Sequence, residues 1–399
     1  MARWGRTSRF PRNGVLASPG PSSLFSPVDH LVTPSRLLVV RLLIAFTIAT
    51  GAASTSSLRA DLVKYEMVLV GDPGNAPDTN GHGAVDHSYS IGRTEVTIGQ
   101  YTTFLNAVAA SDPYELYAYP MATDPESSGI QRSGEWGSYH YATIDNGGDG
   151  SRRPVTYVSW WDAARFANWM SNGQPTGAAT SSTTENGAYD LGGWGSPWTA
   201  PARNAVNPNT GSAPTYFVPT TDEWYKAAYY SPDKHGVGDA GYWRYATQSD
   251  SEPGNQIGSS ANQANYRSAT GYATTPFAER TGTQNYLTDV ASFSGSPSWY
   301  GTFDQSGNVG EWTDLDGVPN LYRGMDGGWW SDYPVHWPSS SRIEYHSGGH
   351  FNHIGFRLAG VAAVAVPEIA PAGFGGVMAV ICGALGLMER RRRLPPGAA

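Results

Sequence analysis

The chain has 399 residues, enough for one large domain or two ordinary ones, and a formal net charge of −8. Charged residues make up only 15%, whereas Gly (48), Tyr (23) and Trp (14) are frequent. This composition favours a loop-rich globule packed on aromatic rings over a helical bundle or a disordered chain. The Lys and Arg residues are scattered or terminal, so no nucleic-acid partner is expected. The only cysteine, Cys382, lies in an apolar tail, which excludes thiol chemistry and disulfides between Met1 and Ile381.

Residues 1–60 have the pattern of an N-terminal extension followed by a signal peptide. Basic residues up to Arg41 precede the short apolar run 42–49, and small residues follow it. Cleavage is expected after Ala53 or after Ala60. The alternative is a strand or helix of a core, but the basic flank and the small-residue exit favour export.

Between residues 61 and 360 the sequence predicts three short helices and few strands. The first helix follows Thr97, the second begins after the N-cap Ser159, and the third opens with the capping-box pattern of Thr220 and Glu223. Strands are predicted at 66–70, 88–91, 155–158 and 355–359. The long stretches 173–214 and 249–298 are rich in Gly, Ser, Asn, Pro and Thr. Loops of this length are usually functional, or are ordered by ions and aromatic packing.

A series of short motifs in this region follows the order of a known family. They are MVLVGDPGN from Met67, YSIGRTEVT from Tyr89, QYTTFLN from Gln100, PVTYVSW from Pro154, DAA from Asp162, FVPT from Phe217, EW from Glu223, GNVGEW from Gly307, RGMDGGW from Arg323 and GFR from Gly355. Across residues 62–360 the chain resembles the formylglycine-generating enzyme, or sulfatase-modifying factor, family. Each motif alone is weak, but their common order is specific. The resemblance implies a single α+β domain of low regular secondary structure, akin to the C-type lectin fold.

The resemblance also implies structural calcium, which prefers carboxylate, amide and carbonyl oxygens. One implied site uses the side chains of Asp304 and Glu311 with the carbonyl oxygens of Gly307 and Val309. A second implied site involves Asn265 and the carbonyl oxygen of Tyr266. The alternative is that Asp304 and Glu311 only cap a turn.

The family's catalysts oxidise a substrate cysteine through two cysteines that hold copper, just after a Gly-Gly block. Counted from Gly327–Gly328, the first position falls at Asp332 and the second near Trp337. Two soft thiolates suit Cu(I), and a carboxylate with an indole does not replace them. We therefore predict no catalytic residue at these positions, no copper, and no cysteine-to-formylglycine oxidase activity.

A histidine cluster near these positions suggests an alternative chemistry. It comprises His336, His346, His350 and His353, with Asp332 and Glu344 close in sequence. Imidazoles with a carboxylate suit Zn, Fe or Cu(II), so the alternative function is a metal-dependent oxidoreductase in the former catalytic groove. The cluster lies in a Gly-rich loop without a helix to fix its geometry, which favours exposed or ring-stacked histidines instead.

The C-terminal part of the chain has a sorting pattern. A linker at 361–371 contains Val366-Pro367-Glu368, and 372–393 is an apolar segment closed by four arginines, as in a membrane helix with a stop-transfer end. It resembles the PEP-CTERM sorting tail of bacterial exported proteins, although Ile369 stands where a second proline is usual. The alternative is a plain membrane anchor.

Together these patterns predict an exported, surface or extracellular-matrix protein that is a non-catalytic binding or structural module. Its partner is expected to be an extracellular glycan or protein, with membrane contact only through the tail. Six tryptophans supply flat apolar faces, most of them expected in the core: Trp160, Trp161, Trp299, Trp329, Trp330 and Trp337.

Overall fold

The computed structural model describes residues 62–192, 199–277, 279–333, 339 and 343–362, all within one compact unit. The predicted signal peptide and the predicted membrane helix at 372–393 lie outside the described residues. Within the described ranges, no helix is long and apolar enough to cross a membrane.

Two four-stranded sheets form the frame. The first has the order β1 (Met67–Val70), β2 (Tyr89–Gly92), β14 (Ala359–Val361) and β5 (Tyr216–Phe217), with antiparallel neighbours throughout. The second has the order β12 (Ile343–His346), β11 (Tyr322–Asp326), β10 (Gly310–Thr313) and β13 (Ile354–Gly355), and only its β10–β13 pair is parallel. Two-stranded ladders complete the described strands: β3 (Ile130–Ser133) with β4 (His140–Thr143), β6 (Tyr230–Ser231) with β7 (Gly241–Tyr242), and β8 (Arg267–Ser268) with β9 (Gly271–Tyr272).

The three predicted helices are confirmed. They are α1 (Ile98–Val108), α3 (Trp160–Ser171) and α4 (Thr221–Tyr229), and a short α2 (Pro120–Thr123) lies between the first two. Each of the three long helices begins with a complete capping box, at Thr97, Ser159 and Thr220. Such a cap contributes about 0.5–2 kcal/mol, which matters for helices this short. The four-residue α2 is too short to carry an apolar period, so the sequence does not reveal it.

Two strand predictions need correction. The strands predicted at 66–70 and 88–91 form as β1 and β2, but 155–158 is not a strand. Its Val155 and Val158 are buried as a strand pattern requires, yet Tyr157 adopts φ +59°, which a ladder does not accommodate. This turn directs the chain into the capping box of α3. The predicted strand 355–359 is two short strands in different sheets, separated by Arg357.

Aromatic rings fill the main core between α1 and α3. The ring of Phe104 lies 5.3 Å from Phe166 and 5.2 Å from Trp169, and Phe166 lies 5.4 Å from Phe356 beside the sheets. Such edge-to-face contacts add roughly 0.5–1.5 kcal/mol each to the burial of the rings. Of the six tryptophans singled out above, Trp160, Trp161 and Trp330 are buried, Trp329 is half-buried, Trp299 is exposed and Trp337 lies outside the described residues.

Asparagine side chains order much of the loop at 173–214. Asn172 donates to the carbonyls of Thr183 and Asn186 at 2.9 and 2.8 Å. Asn209 donates to the carbonyls of Ser181 and Asn186 at 2.9 and 3.0 Å. These side-chain amides satisfy backbone carbonyls without a ladder.

A buried ion pair joins the two sheets. The guanidinium of Arg357 contacts both carboxylate oxygens of Glu311 on β10 at 2.5 Å, and both side chains are fully buried. Arg357 also donates to the carbonyls of Gly92, at the end of β2, and Phe303 at 3.0 and 2.9 Å. The indole of Trp224 on α4 donates to Glu311 at 2.8 Å. One charge pair therefore ties together both sheets, a loop and a helix.

Breaking this pair should cost more than breaking a surface pair. The substitution Glu311→Gln leaves the Arg357 charge buried without its counter-ion, so the free energy of unfolding should fall by about 3–5 kcal/mol. The matched control is Glu66→Gln, which removes the exposed pair with Arg93 and should cost under about 1 kcal/mol. Urea unfolding of both variants measures the difference, and similar losses in the two would contradict the role of the buried pair.

Candidate functional site at the Asp332 loop

Asp332 lies in a turn that the core holds through backbone hydrogen bonds. Its amide donates to the carbonyl of Trp329 at 3.0 Å, and its own carbonyl accepts from the amide of Arg267 at 3.0 Å. One carboxylate oxygen accepts from the amide of Tyr333 at 2.8 Å, and the residue is 8% exposed. The other predicted position, Trp337, lies outside the described residues.

Stacked rings form the floor beneath this turn. The indole of Trp330 stacks on Tyr286 at 4.8 Å with an angle of 4° between the planes, and Tyr272 lies 4.5 Å from Tyr286. The guanidinium of Arg280 lies 5.1 Å over the ring of Trp330. The backbone amide of Trp330 donates to the carbonyl of Asn308 at 2.9 Å, so the floor is fixed to the GNVGEW segment.

Glu126 also lies at this site, and no sequence pattern had selected it. Its carboxylate pairs with both donor groups of Arg280 and accepts from the amide of Asn352 at 3.2 Å. Glu126 is buried, whereas the Arg280 side chain is about half exposed. A lone glutamate in a Ser-rich segment carries no motif, so only the fold brings it to the Asp332 turn.

The predicted histidine cluster does not converge on one point. The ring of His353 lies 4.6 Å from Trp329 and contacts Asn352, and that of His346 lies 6.1 Å from Tyr322. His350 contacts Asp162 at the N-terminus of α3, with 3.0 Å between Nε2 and Oδ2. His336 lies outside the described residues.

Two of these histidines have opposite pKa shifts. Burial lowers the pKa of His353 to about 4, so its imidazole is neutral at neutral pH. Its Nε2 is buried and has no hydrogen-bond partner among the described residues. Burial also opposes the charged form of His350, but the hydrogen bond and charge of Asp162 outweigh it and raise the pKa.

The first implied calcium set lies at the buried ion pair. Glu311 is bound by Arg357 and Trp224 as described, and one oxygen of Asp304 accepts from the amide of Ala291 at 2.6 Å. Burial raises the pKa of Asp304 to about 6. The backbone of Gly307 donates to Gly327, and Val309 is fully buried.

The second implied set adjoins the first through Asn308. The side chain of Asn308 accepts from Asn265 at 2.9 Å and donates to Glu95 at 3.1 Å. The second oxygen of Glu95 and the side-chain oxygen of Asn265 are buried without a hydrogen-bond partner among the described residues. The hydroxyl group of Tyr266 donates to the backbone carbonyl of Pro253. Two orphaned oxygens in one polar network are compatible with a hard cation such as calcium.

In the part of the chain that the structure describes, no group of three or more His, Cys, Asp and Glu side chains is placed to hold a metal ion. The implied calcium sites draw largely on amide and carbonyl oxygens, which such a group does not include. These sites therefore stay predictions. The same holds for a metal bound by His346, His350 and His353.

A family model described as a sulfatase-modifying factor enzyme 1-like domain matches residues 63–362. The chain belongs to the sulfatase-modifying factor enzyme 1-like family. The predicted mixed α+β fold of low regular secondary structure is thereby confirmed. Among curated proteins, none matches this chain.

Three solved structures are similar to this family member. CarF is 24% identical, with 75% of this chain and 99% of that chain covered and a TM-score of 0.43. Variable protein 1 of Treponema denticola is 19% identical, with coverages of 75% and 96% and a TM-score of 0.42. PvdO from Pseudomonas aeruginosa is 17% identical, with coverages of 75% and 92% and a TM-score of 0.37.

The Asp332 turn offers aromatic rings and charged hydrogen-bonding groups. The rings of Trp330 and Tyr286 are fully buried and stack on each other, so the accessible rings at the turn are those of Tyr333 and half-buried Trp329, with the guanidinium of Arg280 over Trp330. The described residues of this sulfatase-modifying-factor-like site contain no thiol, since Cys382 is the only cysteine of the chain.

The buried carboxyl of Glu95, which accepts from Asn308, gives the stability of the domain a testable pH dependence. Burial, and then the charges of Asp304 and Glu311, raise its pKa well above the usual value. Its stabilising effect is therefore complete below the unfolded pKa near 4.5 and is lost as pH rises through the folded pKa. Relative to Glu95→Gln, which cannot ionise, the wild type should lose free energy of unfolding as pH rises above about 4.5.

The measurement is urea unfolding at several pH values in the presence of EDTA, so that no calcium offsets the carboxylate charge. The exposed Glu66→Gln variant is the control and should follow the wild type across the range. Parallel curves for the wild type and Glu95→Gln would contradict the assignment.

Proposed function

We propose that this chain is an exported binding or structural module of the cell surface or extracellular matrix, without cysteine-to-formylglycine oxidase activity. The observation that carries the proposal is Asp332 at the first thiol position of the family motif, in a chain whose only cysteine is Cys382. The backbone hydrogen bonds of the Asp332 turn and the stacked rings beneath it support a frame that forms without thiols.

Export rests on the two ends of the chain. The basic and apolar pattern up to Ala60 favours a signal peptide, and the Val366-Pro367-Glu368 signature with the arginine stop favours a PEP-CTERM-like sorting tail. With the tail in the membrane, the domain faces outward and stays anchored until the tail is processed. The single thiol then lies in lipid and takes no part in the site.

Structural calcium is part of the proposal. Three buried carboxylates, those of Glu95, Asp304 and Glu311, interact with each other, and Arg357 pairs with only one of them. A divalent cation bound by Asp304, Glu311 and nearby carbonyls, or at Asn265 and Tyr266, would offset the excess negative charge. No copper is expected.

The ligand is proposed to be a glycan or a protein segment that contacts the Asp332 turn. The ring of Tyr333 is 42% exposed there, and Trp329 is half-buried beside it. The guanidinium of Arg267 lies 5.1 Å over the ring of Tyr333, which holds both groups in place. Flat rings beside a charged donor are typical of sites that stack on sugar rings or on peptide side chains.

An enzyme assay tests the lack of oxidase activity. The full-length chain should form no aldehyde from a Cys-x-Pro-x-Arg peptide, with or without added copper. The double variant Asp332→Cys, Trp337→Cys restores two soft ligands and should bind Cu(I), whereas the wild type should not. Mass spectrometry of the peptide and metal analysis of both proteins give the result. Aldehyde formation by the wild type would sink the proposal, and failure of the double variant to bind Cu(I) would show that the thiol positions were misassigned.

The second candidate function is a metal-dependent oxidoreductase, and one observation favours it. His353 is neutral, and its buried Nε2 has no partner in the described part of the chain, which is the state in which imidazole binds a metal.

Metal analysis separates the two candidates. A binding module should contain calcium and no stoichiometric transition metal, and His350→Ala with His353→Ala should leave its metal content unchanged. Loss of a stoichiometric transition metal in that double variant would favour the oxidoreductase. His140→Ala, an exposed histidine on β4, is the matched control.

A further inference from the structure

The guanidinium of Arg203 is held against an aromatic ring and forms a long ion pair with Glu223. It lies 3.8 Å over the ring of Phe217, so the plane of the fork is fixed against an aromatic face. Its NH1 is buried and lies 3.5 Å from a carboxylate oxygen of Glu223. Its guanidinium makes no hydrogen bond with any residue that the structure describes. Such a group is costly to bury unless something accepts from it.

Two cavities meet at Arg203 and His87. The larger, of about 440 Å³, is lined by four carboxylates, those of Asp86, Asp222, Glu223 and Asp316. The smaller, of about 270 Å³, has no carboxylate among its lining residues. Its walls are mainly apolar and come from Ala205, Ala213, Pro214, Phe217, Val361 and Ala362. Arg203 and His87 thus lie where the apolar smaller cavity meets the larger one.

The carboxylate nearest to Arg203, that of Glu223, also has other partners. The imidazole of His87 lies between two carboxylates, at 2.8 Å from Asp86 and 3.3 Å from Glu223. Glu223 also accepts a hydrogen bond from the backbone amide of Thr220 at the start of α4, so the lone pairs of its carboxylate are largely engaged. Because NH1 lies towards Glu223, the edge formed by Nε and NH2 would receive an anion, and a planar carboxylate fits that edge through two parallel hydrogen bonds.

The body of that anion should occupy the smaller cavity. Carboxylates line the larger cavity and repel an anion, whereas the smaller one offers apolar walls to a hydrocarbon group. Its volume of about 270 Å³ is near the lower end of the roughly 300–1,000 Å³ found for drug-sized ligands. A short acyl chain therefore fits better than a long lipid.

We propose that the smaller cavity binds a short apolar monocarboxylate, with its carboxylate on Arg203 and its hydrocarbon chain against Phe217, Pro214 and Ala213. This site is separate from the Asp332 turn, and it stands whether or not the chain has oxidase activity.

Calorimetric titration of the full-length chain with butyrate tests the proposal. Butyrate should bind, acetate should bind more weakly because it lacks the chain, and butanol should not bind because it lacks the charge. Inorganic phosphate should not compete. Absence of butyrate binding, or equal binding of phosphate, would overturn the proposal.

Variants locate the binding. Arg203→Ala should weaken butyrate binding about tenfold or more, since a charge-assisted bidentate contact is lost. Arg203→Lys keeps the charge without the fork and should also lose most of the affinity. Ala213→Leu fills the slot and should abolish the advantage of butyrate over acetate while Arg203 stays in place. Unaltered affinity in any of the three would overturn the assignment.

Two further variants complete the design. Arg132→Ala is the matched control, because Arg132 also stacks on aromatic rings, 4.7 Å from Tyr117 and 4.4 Å from Tyr139, but lies outside the cavity. It should bind butyrate like the wild type. Glu368→Gln should leave affinity unchanged. A gain of affinity there would overturn the proposal, since the chain's own carboxylate would then be the occupant.

Discussion

A charge pair without access to water constrains the whole fold. Arg357 and Glu311 are fully buried, and each must satisfy its remaining hydrogen-bonding groups with protein atoms. They do so with the end of β2, the carbonyl of Phe303 and the indole of Trp224. Because these partners come from both sheets and from α4, the elements can be displaced relative to one another only by exposing or orphaning a buried charge.

The need to satisfy buried polar groups also links this ion pair to the candidate site at Asp332. Asn308 lies three residues before Glu311, and its side chain contacts Glu95 and Asn265 while its carbonyl accepts from Trp330. Trp330 is the floor of the Asp332 turn. The backbone of that turn is therefore supported by polar contacts of the core, together with the hydrogen bond that Asp332 accepts from the amide of Tyr333. A turn supported in this way forms without a thiol.

Local signals predicted the helices well and the strands unevenly. Capping boxes at Ser159 and Thr220 mark helix starts because the side chain and the third residue satisfy each other's backbone amides, a purely local device. The segment around Tyr157 has the apolar pattern of a strand, but tertiary packing selects a turn there. The order of the motifs selected Asp332 as a candidate position, whereas Glu126 and Arg203 carry no motif. Their roles arise from neighbours that are far away in sequence, Arg280 in one case and Phe217 in the other.

The long loops show why so little regular structure suffices. A strand satisfies its backbone through a neighbour in a ladder, and a loop must find other partners. Here Asn172 and Asn209 supply them, each with an amide that donates to two carbonyls. Asparagine is poor in helices and strands because its side chain competes for backbone groups, and in this loop that competition is what stabilises the structure. Asparagine side chains are thus an alternative way to satisfy backbone carbonyls where no ladder forms.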